Sequence, residues 1–247
     1  CCSNEFNQKK DQSNYSTTKG MKKVSILFLM VALNSFVLSE NDPFEEINRT
    51  TLKINKTLDA VIATPVATLY QKVTPDFIEV GIYNVISNVD DINISLNNIL
   101  QGKIKEGLSD IARFTVNSTL GLGGFIDVAS KMGLQKHNED FGQTLGFWGV
   151  PHGPYIMLPA LGPSSLRDTV GMIPDAFLSP RILLNHEPTI YSLKFLDLID
   201  TRARYLGLES IVIGDEYLFI KDAYYQNREF DTLDGEVEDD FDNLDDF

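Results

Sequence analysis

Cysteine, histidine, tryptophan and basic residues are all scarce in this 247-residue chain, and the scarcity excludes whole classes of protein. The only two cysteines, Cys1 and Cys2, are adjacent. Neighbouring residues do not readily form a relaxed disulfide, so we predict a fold without cross-links. Lysine and arginine number 21 against 35 aspartates and glutamates, a formal net charge of −14. Nucleic-acid binding needs a basic patch, and this balance argues against it.

The signatures of nucleophilic catalysis are missing as well. No G-x-S-x-G elbow occurs, and we interpret Ser164, which follows Pro163, as a helix cap. His152 could act as a general base, but we favour a structural histidine hydrogen-bonded in a tight turn. The glycine-rich turn at 120–124 fits neither the dinucleotide-binding nor the P-loop spacing. We therefore predict a protein that is not an enzyme and that needs no cofactor.

A small group of possible metal ligands lies at residues 137–140. His137, Glu139 and Asp140 supply three donors within four residues, but a zinc site needs a further, remote ligand. Apart from His152, only His186 could supply a histidine from elsewhere in the chain. We predict that no metal binds and that Glu139 and Asp140 instead form the acidic start of a helix.

The N-terminal segment supports two interpretations, and both export the protein. In the first, a signal peptide has been removed before Cys1, which then carries acyl chains and makes the protein a lipoprotein. In the second, Met21 begins a signal peptide with a basic start and an apolar run from Val24 to about Leu38, and the mature chain begins near Glu40. The apolar run is too short to cross a hydrocarbon core of about 30 Å comfortably.

Apolar residues recur at spacings of three and four along most of the chain, which is typical of amphipathic helices. Predicted helices begin at Asp42 and Pro43 and at Pro65, and they continue over 76–88, 90–100, 103–119, a short stretch ending at Gly133, a stretch capped at 163–165, 189–206 and 215–230. No internal repeat and no convincing sheet are visible. The predicted class is all-α: one multi-helix domain at 42–230, an export or anchor segment at 1–41, and an acidic disordered tail at 231–247.

The same spacing predicts which side chains face the core. The apolar positions expected to point inward are Phe44, Ile47, Thr51, Ile54, Leu58 and Val61, then Ile104, Leu108, Ile111 and Phe114, and finally Ile190, Leu193, Leu196, Ile199 and Ala203. Asp200 and Arg204 are spaced for an i,i+4 ion pair. Four asparagines in N-x-S/T sequons, Asn48, Asn55, Asn93 and Asn117, fall on predicted helices, and we interpret them as a consequence of asparagine-rich composition.

The stretch at 139–171 is unusual because glycine and proline alternate there with apolar and aromatic residues, including the only tryptophan, Trp148. Glycine and proline at this density fix backbone angles that no regular helix or strand holds for long. Because the side chains need burial while the backbone still needs partners, we predict a rigid and partly buried excursion.

This stretch carries a resemblance to a known family. The run EDFGQTLGFWGVPHGPYIMLPALGPSSLRD is similar to the signature of the VacJ/MlaA family of envelope lipoproteins. The segments DPFEEINR at 42–49, RFTVNSTLGLGGFIDVA at 113–129, TRAR at 201–204 and AYYQNREF at 223–230 are similar to further motifs of that family, in the same order. The resemblance covers roughly residues 42–230.

The resemblance implies a ring-shaped all-α lipoprotein with an amphipathic channel, anchored at the periplasmic face of the outer membrane. Such a protein removes mislocalised phospholipids from the outer leaflet, partners a porin trimer, and passes lipid to a soluble periplasmic carrier, so that lipid asymmetry is maintained. The residues that match the hairpin beside the family's channel are Leu120, Gly121, Leu122, Gly123, Gly124, Phe125, Ile126 and Asp127. Other matches to family motifs are Asn48, Arg49, Phe141, Gly142, Gly153, Pro154 and Tyr155.

Two departures from the family pattern concern anchoring. The family places its lipid-bearing cysteine shortly before the position of Asp42, whereas here the candidate is Cys1, and the acidic tail is this chain's own. The alternative functions are a periplasmic hydrolase that uses His152 and a passive envelope scaffold. Headgroup preference, transport direction, porin identity and the N-terminal processing site stay open at this level.

Overall fold

The computed structural model describes residues 42–180, 187–207 and 214–235. The chain divides into two units, Cys1–Pro43 and Phe44–Phe247, and the helices and strands described here all belong to the second. The candidate anchor Cys1, the segment at 1–41 and the tail beyond residue 235 lie outside the described residues. The predicted domain limits therefore stay predictions.

Helices form most of the described chain, which confirms the predicted all-α class. They are α1 (Glu45–Leu58), α2 (Thr64–Val73), α3 (Asp76–Leu100), α4 (Ile104–Leu120), α5 (Val128–Lys131), α6 (Phe141–Phe147), α7 (Leu166–Leu178), α8 (Glu187–Arg204) and α9 (Glu216–Thr232). A short π-helical segment, Asp59–Ala63, joins α1 to α2. Two strands, β1 (Tyr155–Leu158) and β2 (Gly162–Ser165), lie between α6 and α7.

The first helical segment begins later and runs further than predicted. Phe44, not Asp42, is the N-cap residue of α1, and no side chain caps this end. Pro65 was expected to separate two helices, but the π-helical segment carries the chain into α2, where Pro65 occupies the first turn. Proline has no N–H to donate to the preceding turn, and the π-helical segment lies directly before it.

Helices α3 and α4 form a tightly packed pair. The predicted break before Asp90 is wrong, since α3 is continuous for 25 residues. Gly102, with a φ of 84°, reverses the chain into α4. The Ser95 hydroxyl donates a 2.9 Å hydrogen bond to the Gly107 carbonyl. A Cβ on Gly107 would lie only 2.9 Å from the Ser95 carbonyl oxygen, so the absence of a side chain allows this close approach.

The central excursion contains a small sheet that the sequence did not predict. Strands β1 and β2 pair antiparallel, with Tyr155 opposite Ser165 and Leu158 opposite Gly162. The predicted cap at Ser164 is wrong by one residue, because the Ser165 hydroxyl accepts the Asp168 N–H at 3.1 Å and starts α7. The prediction that Asp140 starts a helix is confirmed, since its carboxylate accepts the Gln143 N–H at 2.8 Å.

The C-terminal helices follow the sequence pattern closely. Ile199 and Ala203 on α8 are buried and pack against Ala67 of α2. The predicted ion pair between Asp200 and Arg204 is present at 2.9 Å. Asp215 caps α9, as predicted, by accepting the N–H groups of the next turn.

On α1 and α4 the interior and the surface are largely inverted relative to the prediction, with Thr51 the exception. Residues expected inside are exposed, among them Ile47 (64% exposed) and Val61 (69%), together with Phe44, Ile54, Leu58, Ile104, Leu108 and Ile111. The buried positions of α1 are Asn48 and Thr51, and those of α4 are Gly107, Asp110, Arg113 and Asn117. Among the described residues, nineteen buried side chains are polar or charged and nine are hydrophobic.

Because polar side chains occupy much of the interior, many apolar side chains lie on the outer faces of the helices. Thirty-six large hydrophobic residues of the described chain are exposed, far more than scattered single residues would account for. No helix within the described ranges combines the length and the apolar character that crossing a bilayer requires. The helices therefore present apolar faces outward without being membrane-spanning candidates.

Candidate functional site

The glycine hairpin, residues 120–127, connects α4 to α5 and has an exposed tip. Leu122 is 74% exposed and adopts a positive φ of 55°, which is uncommon for a residue other than glycine. Gly123 and Gly124 follow with φ values of 73° and 96°. Three successive left-handed residues turn the chain sharply and leave an apolar tip at the surface.

The base of the hairpin is fastened to α3. The Asn84 amide donates to the Phe125 carbonyl at 3.2 Å, and the Asn88 amide donates to the Ser118 hydroxyl at 3.0 Å. The Phe125 ring lies against Gly81, where any Cβ would overlap it. A Cβ on Gly124 would lie 2.7 Å from the Asn88 amide nitrogen. The hairpin thus combines a fixed base with an exposed tip.

The hairpin ends in a buried ionic cluster. Asn117 accepts the N–H groups of Val128 and Ala129 at 2.8 Å each, and it donates to Asp127 at 3.1 Å. Arg113 forms an ion pair with Asp127 at 3.3 Å. Burial disfavours the Asp127 carboxylate, but hydrogen bonds from Ser130 and Asn117 outweigh it and lower its pKa to about 2. The end of the hairpin is therefore held by a carboxylate that stays ionised.

A cavity of about 160 Å³, called here the polar cavity, opens between α3, α4 and this cluster. Its lining consists of Tyr83, Asn84, Ser87, Asn88, Asp91, Arg113, Asn117, Asp127 and Lys136. Every one of these side chains carries a polar group, and four of them are charged. Lys136 forms an ion pair with Asp91 and donates a 2.8 Å hydrogen bond to the Ser87 carbonyl. The lining contains two carboxylates and two cations, so its formal charge is balanced.

The polar interior continues along α3 beyond the cavity. The Asn98 amide donates to Asp110 at 2.9 Å, and His137 contacts the other Asp110 oxygen at 2.8 Å. Glu139 accepts from Gln101 at 2.7 Å and pairs with Lys103 at 2.9 Å. These side chains satisfy one another in two hydrogen-bonded groups, one around Asp110 and one around Glu139.

The residues considered for a metal point to different partners. His137 contacts Asp110, Glu139 contacts Lys103, and the Asp140 carboxylate accepts two hydrogen bonds from Arg228 at 2.7 and 2.9 Å. Within the described ranges, no three histidine, cysteine, aspartate or glutamate side chains converge as ligands would.

The motif residues of α1 and β1 meet in one place. The Asn48 side chain is buried, donates to the Tyr155 carbonyl at 2.9 Å and accepts the Met157 N–H at 2.9 Å. Arg49 forms two hydrogen bonds to Asp215, at 3.0 and 2.9 Å, and its guanidinium lies 4.5 Å from the Tyr217 ring centre. These residues join α1, β1 and α9, and they line neither the polar cavity nor the glycine hairpin.

The other motif residues fix the start of α6. The Phe141 N–H donates to the Asp175 carboxylate at 3.0 Å. A Cβ on Gly171 would lie 2.9 Å from the Gly142 Cα, so the two glycines allow α6 and α7 to touch. Gly153 adopts a φ of 69°, and the Pro154 carbonyl accepts the Leu166 N–H at 3.0 Å. These motif residues therefore stabilise the packing of α6 against α7 and the turn between the two helices.

His152 lies in the turn, as predicted, but its hydrogen bonding differs from the prediction. Its Nδ1 is buried and has no hydrogen-bond partner in the described part of the chain, and its ring packs edge-on against Tyr225 at 5.7 Å. Burial, reinforced by the nearby charge of Arg167, lowers the pKa of His152 to about 4. The ring is therefore neutral near pH 7 and a weaker base than an ordinary histidine.

Sequence reasoning missed the importance of the asparagines. Asn48, Asn55, Asn93 and Asn117 were attributed to composition, yet each hydrogen-bonds a backbone or side-chain group more than nine residues away. A signal was present on α3: Asn84, Asn88, Asp91, Ser95 and Asn98 recur at helical spacing and form one polar face. The polar periodicity, rather than the apolar one, identifies the buried side of this helix.

Comparisons with known proteins agree with this geometry. A profile of the family described as MlaA lipoprotein matches residues 40–231. A Rickettsia typhi protein, "Uncharacterized protein RT0044", is 34% identical over 192 residues, 76% of each chain. The Escherichia coli "Intermembrane phospholipid transport system lipoprotein MlaA" is 34% identical over 203 residues, 80% of each chain.

A solved structure is similar as well. It comes from work on the "Structural basis for maintenance of bacterial outer membrane lipid asymmetry". The two chains are 33% identical and superpose with a TM-score of 0.71, a match that covers 78% of this chain and all of the other. Sequence and fold therefore lead to the same relatives.

Proposed function

Since the chain belongs to the MlaA lipoprotein family, as its motifs predicted, we propose that it is the outer-membrane lipoprotein of an intermembrane phospholipid transport system. In this role it removes mislocalised phospholipids from the outer leaflet and passes them to a carrier in the periplasm. Lipid asymmetry of the outer membrane is the result.

One observation carries the proposal: a polar interior beside an exposed hairpin, inside helices whose apolar faces point outward. A phospholipid has the same division between headgroup and acyl chains. Its two acyl chains contain roughly thirty methylene groups at about 0.8 kcal/mol each, so free passage through water costs on the order of 20 kcal/mol. A protein that shields the chains while offering polar groups to the head removes most of this barrier.

The glycine hairpin is the gate in this proposal. Its base is held by Asn84 and Asn88, whereas the exposed Leu122 and the partly exposed Ile126 provide an apolar tip that acyl chains can contact. The amphipathic channel and the ring-like shape that the family resemblance implies belong to the same proposal. The polar cavity is then the part of the route that accepts the headgroup.

The remaining parts of the proposal concern location and partners. Cys1 carries the lipid anchor on the periplasmic face of the outer membrane. The partners are phospholipid, an outer-membrane porin trimer and a soluble periplasmic carrier, and no nucleic acid takes part. No bond of the lipid is broken, so the protein is not an enzyme. The pKa of about 4 at His152 supports this, because a general base works best near the ambient pH.

The decisive experiment tests the gate in cells. A strain that lacks the protein is complemented with the wild type, with Phe125→Ala, which removes the ring that rests on Gly81, or with Phe147→Ala at an exposed ring on α6. We expect phospholipid to accumulate in the outer leaflet of the deletion strain and of the Phe125→Ala strain only. Normal outer-leaflet lipid in the deletion strain would contradict the transport function. Full complementation by Phe125→Ala would contradict the gate alone.

A further inference from the structure

Three residues that line the polar cavity each have a buried polar atom without a hydrogen-bond partner in the described part of the chain: Asn88 Oδ1, Asp91 Oδ2 and Arg113 Nε. Their side chains are 3%, 1% and 2% exposed, respectively. Buried polar groups are normally satisfied, because leaving them unpaired in a low dielectric is costly. Three such atoms around one cavity indicate that the cavity is built to hold a polar guest.

The chemistry of these atoms defines the guest. Asn88 Oδ1 and Asp91 Oδ2 are acceptors and require donors, whereas Arg113 Nε is a donor and requires an acceptor. The Asp91 Oδ2 and Arg113 Nε atoms are 3.6 Å apart, close enough for attraction but too far for a hydrogen bond. A guest must therefore offer at least two hydrogen-bond donors near one oxygen acceptor.

We propose that the polar cavity recognises the phosphoethanolamine headgroup of a phospholipid and discriminates against choline. The primary ammonium donates to Asn88 Oδ1 and Asp91 Oδ2, and a phosphate oxygen accepts from Arg113 Nε. A trimethylammonium group has no N–H, so it would leave both acceptors unpaired. This inference rests on the proposed function, and it adds the preferred substrate.

The charges around the cavity agree with such a guest. Asp91 pairs with Lys136 through one oxygen and lies 3.6 Å from Arg113 Nε through the other, which accepts no hydrogen bond, and burial raises the pKa of this carboxyl. An additional cation beside Asp91 would offset that desolvation. A phosphate near Arg113 brings the matching negative charge, so a zwitterionic headgroup leaves the balanced lining neutral. A headgroup with net negative charge alone would disturb this balance.

The volume and position fit a headgroup and not a whole lipid. About 160 Å³ accommodates a few atoms beyond a phosphate group, whereas two acyl chains need several times that space. The exposed hairpin tip at Leu122 leaves the chains outside the cavity, next to apolar surface. Water molecules are the competing occupants, since a polar cavity of this size could hold several.

The test uses the full-length protein incubated with vesicles of equal phosphatidylethanolamine and phosphatidylcholine. Protein is separated from vesicles, and its retained lipids are extracted and quantified. We expect a retained ethanolamine-to-choline ratio about tenfold above that of the vesicles, which corresponds to one or two unpaired acceptors. If the protein retained the two lipids in the same ratio as the vesicles, the inference would be overturned. The polar cavity would then hold only water. No retained phospholipid at all would instead count against the proposed function.

Two variants and a matched control make the result specific. Asp91→Asn should lower the retained ratio towards that of the vesicles, and Asn88→Asp, which adds a carboxylate at the cavity, should raise it. Asp110→Asn changes a carboxylate that is equally buried but fully hydrogen-bonded and outside the lining, so the ratio should stay at the wild-type value. If both cavity variants keep the wild-type ratio, the preference arises elsewhere and the assignment is wrong.

A water-soluble competitor separates a lipid headgroup from a free metabolite. Glycerophosphoethanolamine in excess should reduce retention of phosphatidylethanolamine, whereas glycerophosphocholine should not. Binding of the soluble compound by a protein that retains no phospholipid would contradict the assignment to lipid.

Discussion

Two regions of the molecule solve the problem of buried polarity in different ways. In the aromatic cluster, where Tyr155, Met157 and Tyr217 are buried, tyrosine rings pack in edge-to-face and tilted pairs at 5.7–6.0 Å, and the Asn48 side chain satisfies the β1 backbone. Around the polar cavity, buried side chains leave atoms unpaired. The first region packs its rings together and satisfies the β1 backbone within the chain, which suits a scaffold, whereas the cavity lining leaves three buried atoms without hydrogen bonds, which suits binding.

The ionic network beside the aromatic cluster should show the largest effect on stability. Arg228 pairs with Asp140 at 2.7 Å and with Asp168 at 3.0 Å. Arg228→Met would leave two carboxylates without their main cation, so we expect a loss of about 3–5 kcal/mol in the free energy of unfolding, measured by urea denaturation. The exposed pair between Arg49 and Asp215 provides the control, and Arg49→Met should leave the midpoint nearly unchanged.

If Arg228→Met changed the free energy of unfolding only slightly, the ionic network would not be a structural element. The contrast between scaffold and binding region would then lose its basis.

The glycine hairpin should tolerate substitution at one glycine and not at its neighbour. Both Gly123 and Gly124 have positive φ, but a Cβ on Gly123 meets nothing within 4 Å, whereas one on Gly124 meets Asn88. We expect Gly123→Ala to cost about 1 kcal/mol from backbone strain, and Gly124→Ala about 2–4 kcal/mol because crowding is added. Thermal unfolding checks the stabilities, and outer-leaflet lipid content checks transport. Equal effects of the two variants would show that contact with Asn88 is unimportant.

His152 should produce a pH-dependent effect. Its pKa is about 4 in the folded protein, against about 6.5 in an unfolded chain, so the unfolded state binds the extra proton between these values. The contribution of His152 to the free energy of unfolding is therefore fully present above pH 6.5 and is lost as the pH falls towards 4, and it amounts to about 2 kcal/mol after allowance for partial exposure. His152→Gln should flatten this part of the profile and leave lipid transport intact. If His152→Gln left the dependence of stability on pH unchanged, or abolished lipid transport, the structural role of His152 would be contradicted.

The sequence predicted the helical class and several helix ends, because capping residues and glycines act locally, and it predicted the family through its resemblance to family motifs. Asp140 and Asp215 are such signals, and each lies at the start of a helix, where it was expected. The prediction of the buried face was right on α8 and wrong on α1 and α4, since periodicity reports that a helix has two faces and not which one is buried. For this reason Ile47, which was predicted to be buried, is exposed, and its neighbour Asn48 is buried instead. The prediction applied the rule for helices surrounded by water, in which the apolar face is the inner one.

The candidate site was only partly predictable. The hairpin at 120–127 was identified through the family resemblance, but the cavity beside it was not, because Asn88, Asp91, Arg113 and Lys136 come from distant parts of the chain. The strands β1 and β2 were also missed. Their glycines and prolines disfavour strands locally, and only pairing with each other and support from Asn48 stabilise them.

Fluorescence of the single tryptophan tests most directly whether the exposed apolar surface faces lipid. Trp148 is 51% exposed beside the equally exposed Phe147, and its indole nitrogen donates to the Leu100 carbonyl at 3.3 Å. With full-length protein in vesicles, we expect phospholipids brominated on the acyl chains to quench this fluorescence strongly and aqueous iodide to quench it weakly. Strong quenching by iodide with none by brominated lipid would place this surface in water and contradict the account.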